Sequence, residues 1–276
     1  MRLKTSKTSN TKNKPPFFHS LIFSFPHSFI FISSVHLYPT PSHITAFSTT
    51  RDGGVTIPVP RLFMPHHQVH GTKTVVIDED FLAKNPLEQV LALDGVDALS
   101  TQLSDVFVCV KTADCIPVLL WDDATHVVSA VHAGWKGTQK RIVEANIDVL
   151  QVTYGTQPSN LHAIIGPGIG PESFEVGDEV YDLFAQAGFP MEQLAKRYPL
   201  MHPNNPQGSL PLGKVGEDFR WHIDLWECNR LQLIKKGVNP ENIHVSGIDT
   251  YTNYDRFFSA RRHIDGRIIN GIMVVD

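Results

Sequence analysis

The sequence is poor in cysteine and in charged residues. Its 276 residues include three cysteines, Cys109, Cys115 and Cys228, and no Cys-x-x-Cys pair. An odd number of scattered cysteines argues against a disulfide framework and favours a reducing compartment. Charged residues make up 19% of the chain and the formal net charge is −4, which argues against a nucleic-acid-binding protein. We therefore expect a small-molecule partner.

The first 51 residues contain no acidic residue. They hold six basic residues, whereas the rest of the chain has 18 basic and 28 acidic residues. An apolar stretch at residues 17–38 is interrupted by Pro26 and three histidines, and a membrane-spanning helix needs about 20 predominantly apolar residues. No stable span is therefore expected. Residues 1–43 are predicted to be a basic, Ser/Phe-rich leader, either disordered or targeting, that does not pack against the domain. The expected location is cytoplasmic, and the alternative is an organelle or secretion through the leader.

From residue 44 onward, short apolar runs alternate with helical windows, a pattern typical of a mixed α and β domain. Strands are predicted at residues 73–77, 106–110, 116–121, 127–131, 162–165, 243–248 and 268–275. Helices are predicted at residues 138–154, 178–187 and 224–236, each followed by a glycine that suits a helix C-cap. Asp224 and Glu227 predict a capping box on the last helix. Residues 191–221, rich in Pro, Asn and Gly, are predicted to form a long connection.

Two histidines and one cysteine stand beside apolar strands and glycines. His70 precedes Gly71, Cys115 opens a strand, and His132 follows one. Two imidazoles and a thiolate are the ligand types of a catalytic zinc site, which keeps a fourth position for water or substrate. The spacings of 45 and 17 residues fit no zinc finger. The alternative is that the imidazoles are buried and satisfied and the thiol is inert.

A glycine-flanked turn at residues 134–137 directly precedes the predicted helix at 138–154. Free backbone amides and the positive end of the helix dipole favour an anion at such a turn, and Lys136 adds a positive charge suited to phosphate. The alternative is a glycine turn that makes room for Trp135 in the core.

Six motifs carry a resemblance to a known family. They are ITAFSTTRDGGV at residues 44–55, QVHG at 68–71, ADCIPV at 113–118, HAGWKG at 132–137, IGPGIG at 165–170 with FEV at 174–176, and FFSARR at 257–262. In this order they resemble the family variously labelled multicopper polyphenol oxidoreductase (laccase-like), purine nucleoside phosphorylase and peptidoglycan editing factor. The expected fold is a single-domain α+β sandwich of mixed β-sheets flanked by helices, over residues 44–276.

The resemblance implies a zinc-dependent purine nucleoside phosphorylase that acts on inosine, adenosine and methylthioadenosine, with adenosine deamination as an added activity. It implies that His70, Cys115 and His132 bind the metal, with copper as the alternative to Zn²⁺. The expected partners are a nucleoside and phosphate; nothing in the sequence gives the oligomeric state.

Two groups of residues are candidates for the remaining roles. Asp114, Glu175 and Lys136 are the catalytic candidates, the two carboxylates because proton transfer needs such a group. The candidates for binding substrate or phosphate are Arg51, Lys136 and Gly137.

Three other functions stay open as alternatives. One is an amidase that edits a cell-wall precursor, in which zinc-bound water, or Cys115 paired with His132, attacks an amide. Another is a zinc-binding protein without catalysis. Polyphenol oxidation is disfavoured, because a laccase holds its copper cluster with about ten histidines, largely in His-x-His pairs, and the sequence has no such pair.

The sequence departs from the family between the first two motifs. Family members carry some forty residues there, including an Asn-Leu and an Asn-Arg motif, whereas only residues 55–67 fill the gap here. This shortening predicts weakened substrate binding and leaves the metal ligands in place.

Overall fold

The computed structural model describes residues 29–32, 35–51, 55–58, 61–199 and 219–275. The basic opening of the leader and residues 200–218 lie outside these ranges. The strands are β1 (Phe29–Ile32), β2 (Val35–Leu37), β3 (Ile44–Thr49), β4 (Val55–Pro58), β5 (Arg61–Phe63), β6 (Thr74–Val76), β7 (Ala98–Thr101), β8 (Val106–Thr112), β9 (Ile116–Asp122), β10 (Val127–Ala133), β11 (Leu161–Ile165), β12 (Glu175–Val176), β13 (Ala195–Pro199), β14 (Phe219–Ile223), β15 (Ile243–Val245) and β16 (Ile268–Val274). The helices are α1 (Glu79–Ala83), α2 (Pro86–Ala92), α3 (Trp135–Gln139), α4 (Ile142–Tyr154), α5 (Asp178–Gln186), α6 (Met191–Leu194) and α7 (Leu225–Lys235).

Two large mixed sheets form the centre of the molecule. One has the strand order β2-β3-β16-β8-β5 and the other β15-β11-β9-β10-β7-β6. Most neighbours are antiparallel, but β5 with β8, β6 with β7 and β11 with β15 are parallel. The predicted α+β fold of mixed sheets with flanking helices is therefore confirmed.

The six-stranded sheet is buried on both faces, which explains why β9 and β10 are apolar at almost every position. Leu119 and Trp121 face a core shared with the five-stranded sheet. Val118 and Leu120 face the second core, where helices α4, α5 and α7 cover the sheet. Two of the metal-ligand candidates, Cys115 and His132, lie at the ends of β9 and β10, which this double burial holds in place.

The prediction that residues 1–43 do not pack against the domain is wrong for residues 29–32, where β1 pairs antiparallel with β4, and for residues 35–43. Strand β2 pairs antiparallel with β3, and the following Tyr38 is 5% exposed. Its hydroxyl lies 2.7 Å from Oγ of Ser48, which in turn donates to Oδ1 of Asn270 on β16. The domain therefore begins before residue 44. The targeting or disordered character expected of the leader falls mainly on residues 1–28, which lie outside the described residues.

The predicted helix at residues 138–154 is two helices. Arg141 adopts a left-handed backbone conformation with φ 67°, which ends the helical run between α3 and α4. Its guanidinium donates to the carbonyl of Ala187 at 2.7 Å and stacks 3.6 Å from the ring centre of Phe189. Tertiary contacts to the α5 region thus override the helical pattern.

The remaining differences from prediction concern local elements. Asp224 caps α7 by accepting from the amide of Glu227 at 2.9 Å, but the carboxylate of Glu227 pairs with Arg230 at 2.6 and 2.8 Å instead of completing the box. The predicted connection at 191–221 contains α6, β13 and part of β14. Strands β1 to β5, β7 and β12 and helices α1 and α2 were not predicted. No helix within the described ranges is long and apolar enough to cross a membrane.

Candidate metal centre

The structure brings His70, Cys115 and His132 together from three separate segments. His70 lies in the loop before β6, Cys115 in the turn between β8 and β9, and His132 near the end of β10. Their ligand atoms all lie within 4.8 Å of one another, and Nε2 of His70 is 3.7 Å from Sγ of Cys115. Among the residues that the structure describes, this is the one group of three or more histidine, cysteine or carboxylate side chains close enough to hold a metal ion.

The backbone around the three side chains is specialised for their close approach. His70 has φ 58°, a conformation that non-glycine residues rarely adopt. Gly134 directly follows β10, and a Cβ atom placed there would lie 2.5 Å from Cδ2 of His70 and 2.9 Å from Sγ of Cys115. Any side chain at this position would displace two of the ligands, so the glycine makes room for the cluster.

Asp97 is a buried carboxylate that positions two of the three ligands. Its Oδ1 lies 2.8 Å from Nδ1 of His132, which leaves Nε2 of that ring for the cluster. The same carboxylate accepts from the backbone amides of His70 and Gly71 at 2.9 and 2.7 Å. A carboxylate bonded to the far nitrogen of a ligating histidine fixes its tautomer and its orientation. Sequence reasoning missed Asp97, although an aspartate that opens an apolar strand was the available signal.

The cluster favours the deprotonated thiol. Burial raises the pKa of Cys115, but the adjacent His132 and His70 outweigh burial and bring that pKa down to about 6. Burial lowers the pKa of His132, whereas Cys115 and Asp97 raise it to about 9. At neutral pH the metal-free pair is therefore a thiolate beside an imidazolium, and a metal ion has to displace only the imidazolium proton.

These donors fit a metal ion. Two imidazoles and one thiolate match the Cys and His donors that Zn²⁺ prefers, and a three-ligand set is typical of a catalytic site because it leaves a position open. His₂Cys is also a donor set that copper accepts.

Asp114, a catalytic candidate, has both carboxylate oxygens engaged. Its Oδ1 accepts from Oγ1 of Thr250 at 2.7 Å, and its Oδ2 accepts from the backbone amide of Arg261 at 2.7 Å. Its φ of 80° lies in the left-handed region. Burial raises the pKa of Asp114, although these hydrogen bonds oppose the shift. These hydrogen bonds connect the turn that carries Cys115 to the C-terminal loop, residues 246–267 between β15 and β16.

Glu175, the second catalytic candidate, is buried on β12. Its Oε2 lies 3.9 Å from Nε2 of His222 on β14, and its backbone carbonyl accepts from Nη1 of Arg261 at 3.0 Å. Burial lowers the pKa of His222, and the carboxylate of Glu175 opposes that shift. Glu175 thus belongs to a buried polar group that shares Arg261 with Asp114.

The candidate residues for phosphate binding lie in two separate parts of the structure. Lys136 is exposed on α3, and its Nζ lies 5.5 Å from the ring centre of Trp135. Gly137 is buried, and a Cβ atom placed there would lie 3.2 Å from the carbonyl oxygen of Gly71. Arg51 is exposed elsewhere, and its Nη1 donates to the carbonyl of Tyr254. Arg51 therefore contacts the C-terminal loop.

The other two cysteines lie outside the cluster. Cys109 is buried on β8 and Cys228 is buried on α7. Burial raises the pKa of each thiol above its usual range, so both remain protonated side chains of the core.

Comparison with known proteins places the chain in a family. Residues 45–275 match the family described as multi-copper polyphenol oxidoreductase laccase. The chain belongs to this family. Among family relatives, a Bacteroides thetaiotaomicron protein named purine nucleoside phosphorylase is 37% identical over 209 residues, covering 75% of this chain and 71% of that protein. A protein from an unknown prokaryotic organism, named adenosine deaminase RL5, is 38% identical over 213 residues, covering 76% of this chain and 74% of that protein.

Two solved structures share the fold. The crystal structure of Bacillus licheniformis hypothetical protein YfiH superposes with a TM-score of 0.71 at 24% identity and covers 88% of this chain and 97% of that one. YlmD from Geobacillus stearothermophilus gives a TM-score of 0.69 at 24% identity, covering 90% and 100%. At this level of identity the likeness establishes the architecture.

Proposed function

We propose that the chain is a metal-dependent enzyme that cleaves purine nucleosides with phosphate, accepting inosine, adenosine and methylthioadenosine. The observation that carries the proposal is the group of two imidazoles and one thiol with ligand atoms within 4.8 Å of one another. The relative named purine nucleoside phosphorylase, at 37% identity, supports the substrate class.

Zn²⁺ is the proposed metal, held by His70, Cys115 and His132. When bound, it would supply a Lewis acid and lower the pKa of a water molecule. The chain's own contribution is positional. Asp97 keeps Nδ1 of His132 occupied so that Nε2 faces the cluster, and the absent side chain at Gly134 leaves space beside Cys115.

Adenosine deamination is the second candidate activity. It is favoured by the 38% identity to the protein named adenosine deaminase RL5. Both reactions need a group that transfers a proton. We assign this role to Asp114 or Glu175, because both carboxylates are buried and Asp114 has a raised pKa.

Two observations argue against polyphenol oxidation. A laccase needs a blue copper and a trinuclear cluster, and thus several groups of ligands. The described residues contain a single group of three metal-binding side chains, and the complete sequence has no His-x-His pair.

The test is incubation of the zinc-loaded protein with inosine, adenosine and methylthioadenosine, each with and without phosphate. Free base released only in the presence of phosphate supports phosphorolysis, and inosine formed from adenosine without phosphate supports deamination. Cys115→Ala should abolish both activities, whereas the matched variant Cys109→Ala, on β8 outside the cluster, should retain them. Silence on every nucleoside, in a protein shown to hold one zinc, would refute the proposal and favour the amidase or the non-catalytic alternative.

A further inference from the structure

Arg261 is a partly buried guanidinium that forms no ion pair with the residues that the structure describes. It lies in the C-terminal loop between β15 and β16, and burial lowers its pKa although Asp114 and Glu175 oppose the shift. Its one side-chain hydrogen bond within the described part of the chain runs from Nη1 to the carbonyl of Glu175. No acidic side chain in those ranges comes within the 4.0 Å of an ion pair. A partly desolvated charge that nearby carboxylates compensate only from a distance is costly, and an anionic ligand would offset that cost.

The backbone of Arg261 is hydrogen-bonded to Asp114, the residue before the candidate ligand Cys115. Its amide donates to Oδ2 of Asp114, whose Oδ1 accepts from Thr250 at the other end of the same loop. Asp114 is the neighbour of Cys115 in the chain, about 3.8 Å away between Cα atoms. Both ends of the loop are thus anchored to the residue before a metal ligand.

Two further arginines, Arg262 and Arg51, contact residues of the same loop. Arg262 donates from Nε to the carbonyl of Tyr251 at 2.5 Å, and its Cζ lies 4.1 and 4.2 Å from the ring centres of Tyr251 and Tyr254. Arg51 contacts the carbonyl of Tyr254, and its Cζ lies 5.6 Å from the ring centre of Phe258. Neither arginine has an ion-pair partner among the described residues. The loop at residues 246–267 carries four arginines against three aspartates, whereas residues 52–276 as a whole carry 18 bases against 28 acids.

We propose that Arg261, supported by Arg262 and Arg51, binds the phosphate co-substrate. A guanidinium presents paired donors that match phosphate oxygens, and desolvation strengthens such charge-assisted hydrogen bonds. Lys136, in contrast, is exposed on a helix of five residues. The inference rests on the proposed function, because phosphate is the co-substrate of phosphorolysis.

The test is calorimetric titration of the zinc-loaded full chain with inorganic phosphate. Arg261→Gln should weaken phosphate binding roughly 10- to 100-fold, the loss expected for a charge-assisted hydrogen-bonding group. Arg261→Lys keeps the charge and a donor for the carbonyl of Glu175, so it should fold normally and bind phosphate with intermediate affinity. The matched control is Arg230→Gln, since Arg230 pairs with Glu227 on α7. Zinc content and the unfolding temperature verify that each variant is folded.

Two results overturn the inference: no phosphate binding by the unaltered chain, or equal binding by the unaltered chain and both Arg261 variants. A parallel titration with adenosine 5′-monophosphate distinguishes free phosphate from a nucleotide phosphate, because the tighter ligand identifies the source. If the unaltered chain binds phosphate through Arg261 and yet cleaves no nucleoside, the proposed function fails and the phosphate site stands.

Discussion

Oδ1 of Asp97 lies 2.8 Å from Nδ1 of His132, and the same oxygen accepts the backbone amide of His70 at 2.9 Å. One buried carboxylate thus orients the side chain of His132 on β10 and the backbone of His70 in the loop before β6. Loss of such a partner reduces metal affinity by roughly 10- to 100-fold in known metalloproteins.

Asp97→Asn should therefore bind zinc roughly 10- to 100-fold more weakly. It should also lower the free energy of unfolding by about 1–3 kcal/mol, because an amide nitrogen would face buried donors. Competition with a zinc chelator and denaturant unfolding measure the two effects. The control is Asp148→Asn, which removes an exposed carboxylate on α4. Unchanged zinc affinity in Asp97→Asn would show that the carboxylate is only structural.

Gly134→Ala should abolish zinc binding in a protein that still folds. The added methyl group would lie 2.5 Å from Cδ2 of His70 and 2.9 Å from Sγ of Cys115, so these ligands must move. Gly95→Ala is the matched control, because its Cβ meets nothing within 4 Å and its φ of 66° adds strain alone, about 1–2 kcal/mol. Metal analysis and circular dichroism check both variants. Full zinc occupancy in Gly134→Ala would contradict the described geometry.

Zinc affinity should rise about tenfold per pH unit between about pH 6 and pH 9. In this window Cys115 is already a thiolate and His132 is still protonated, so each binding event releases one proton. Below about pH 6 both Cys115 and His132 are protonated, so zinc affinity depends more steeply on pH. Above about pH 9 both are deprotonated, and the dependence disappears. Chelator competition across this range measures the slope. A flat profile at neutral pH would contradict the thiolate–imidazolium pair.

A chain that begins at residue 44 should be less stable than one that begins at residue 29. The shorter chain lacks β2 and Tyr38, whose hydroxyl reaches Ser48 in the buried interior. Tyr38→Phe isolates the hydrogen bond, worth about 1 kcal/mol. Thermal unfolding compares the three proteins. Equal unfolding temperatures for the two chain lengths would restore the predicted boundary at residue 44.

Sequence reasoning found the metal ligands because each stands next to an apolar strand and within a family motif. It did not find Asp97, because an aspartate before an apolar strand does not show which distant segments its carboxylate contacts. Arg141 broke a predicted helix for the same reason, since its partners Ala187 and Phe189 lie some 46 residues away along the chain. Strand periodicity therefore predicted seven strands of the two large sheets, whereas β2, β3, β5, β7 and the contacts that position the site depend on tertiary structure.

The three candidate ligands are separated by 45 and 17 residues and sit on different strands or loops. Closing such loops costs conformational entropy before any metal can be shared among the ligands. The ligands are brought together by strand pairing and by the hydrogen bonds of Asp97. We therefore expect the ion to bind after the sheets have formed, unlike in a zinc finger, which is unfolded without its metal. We infer that the polypeptide folds first and is metallated afterwards, so the identity of its metal is decided by the ions that the finished protein meets in the cell.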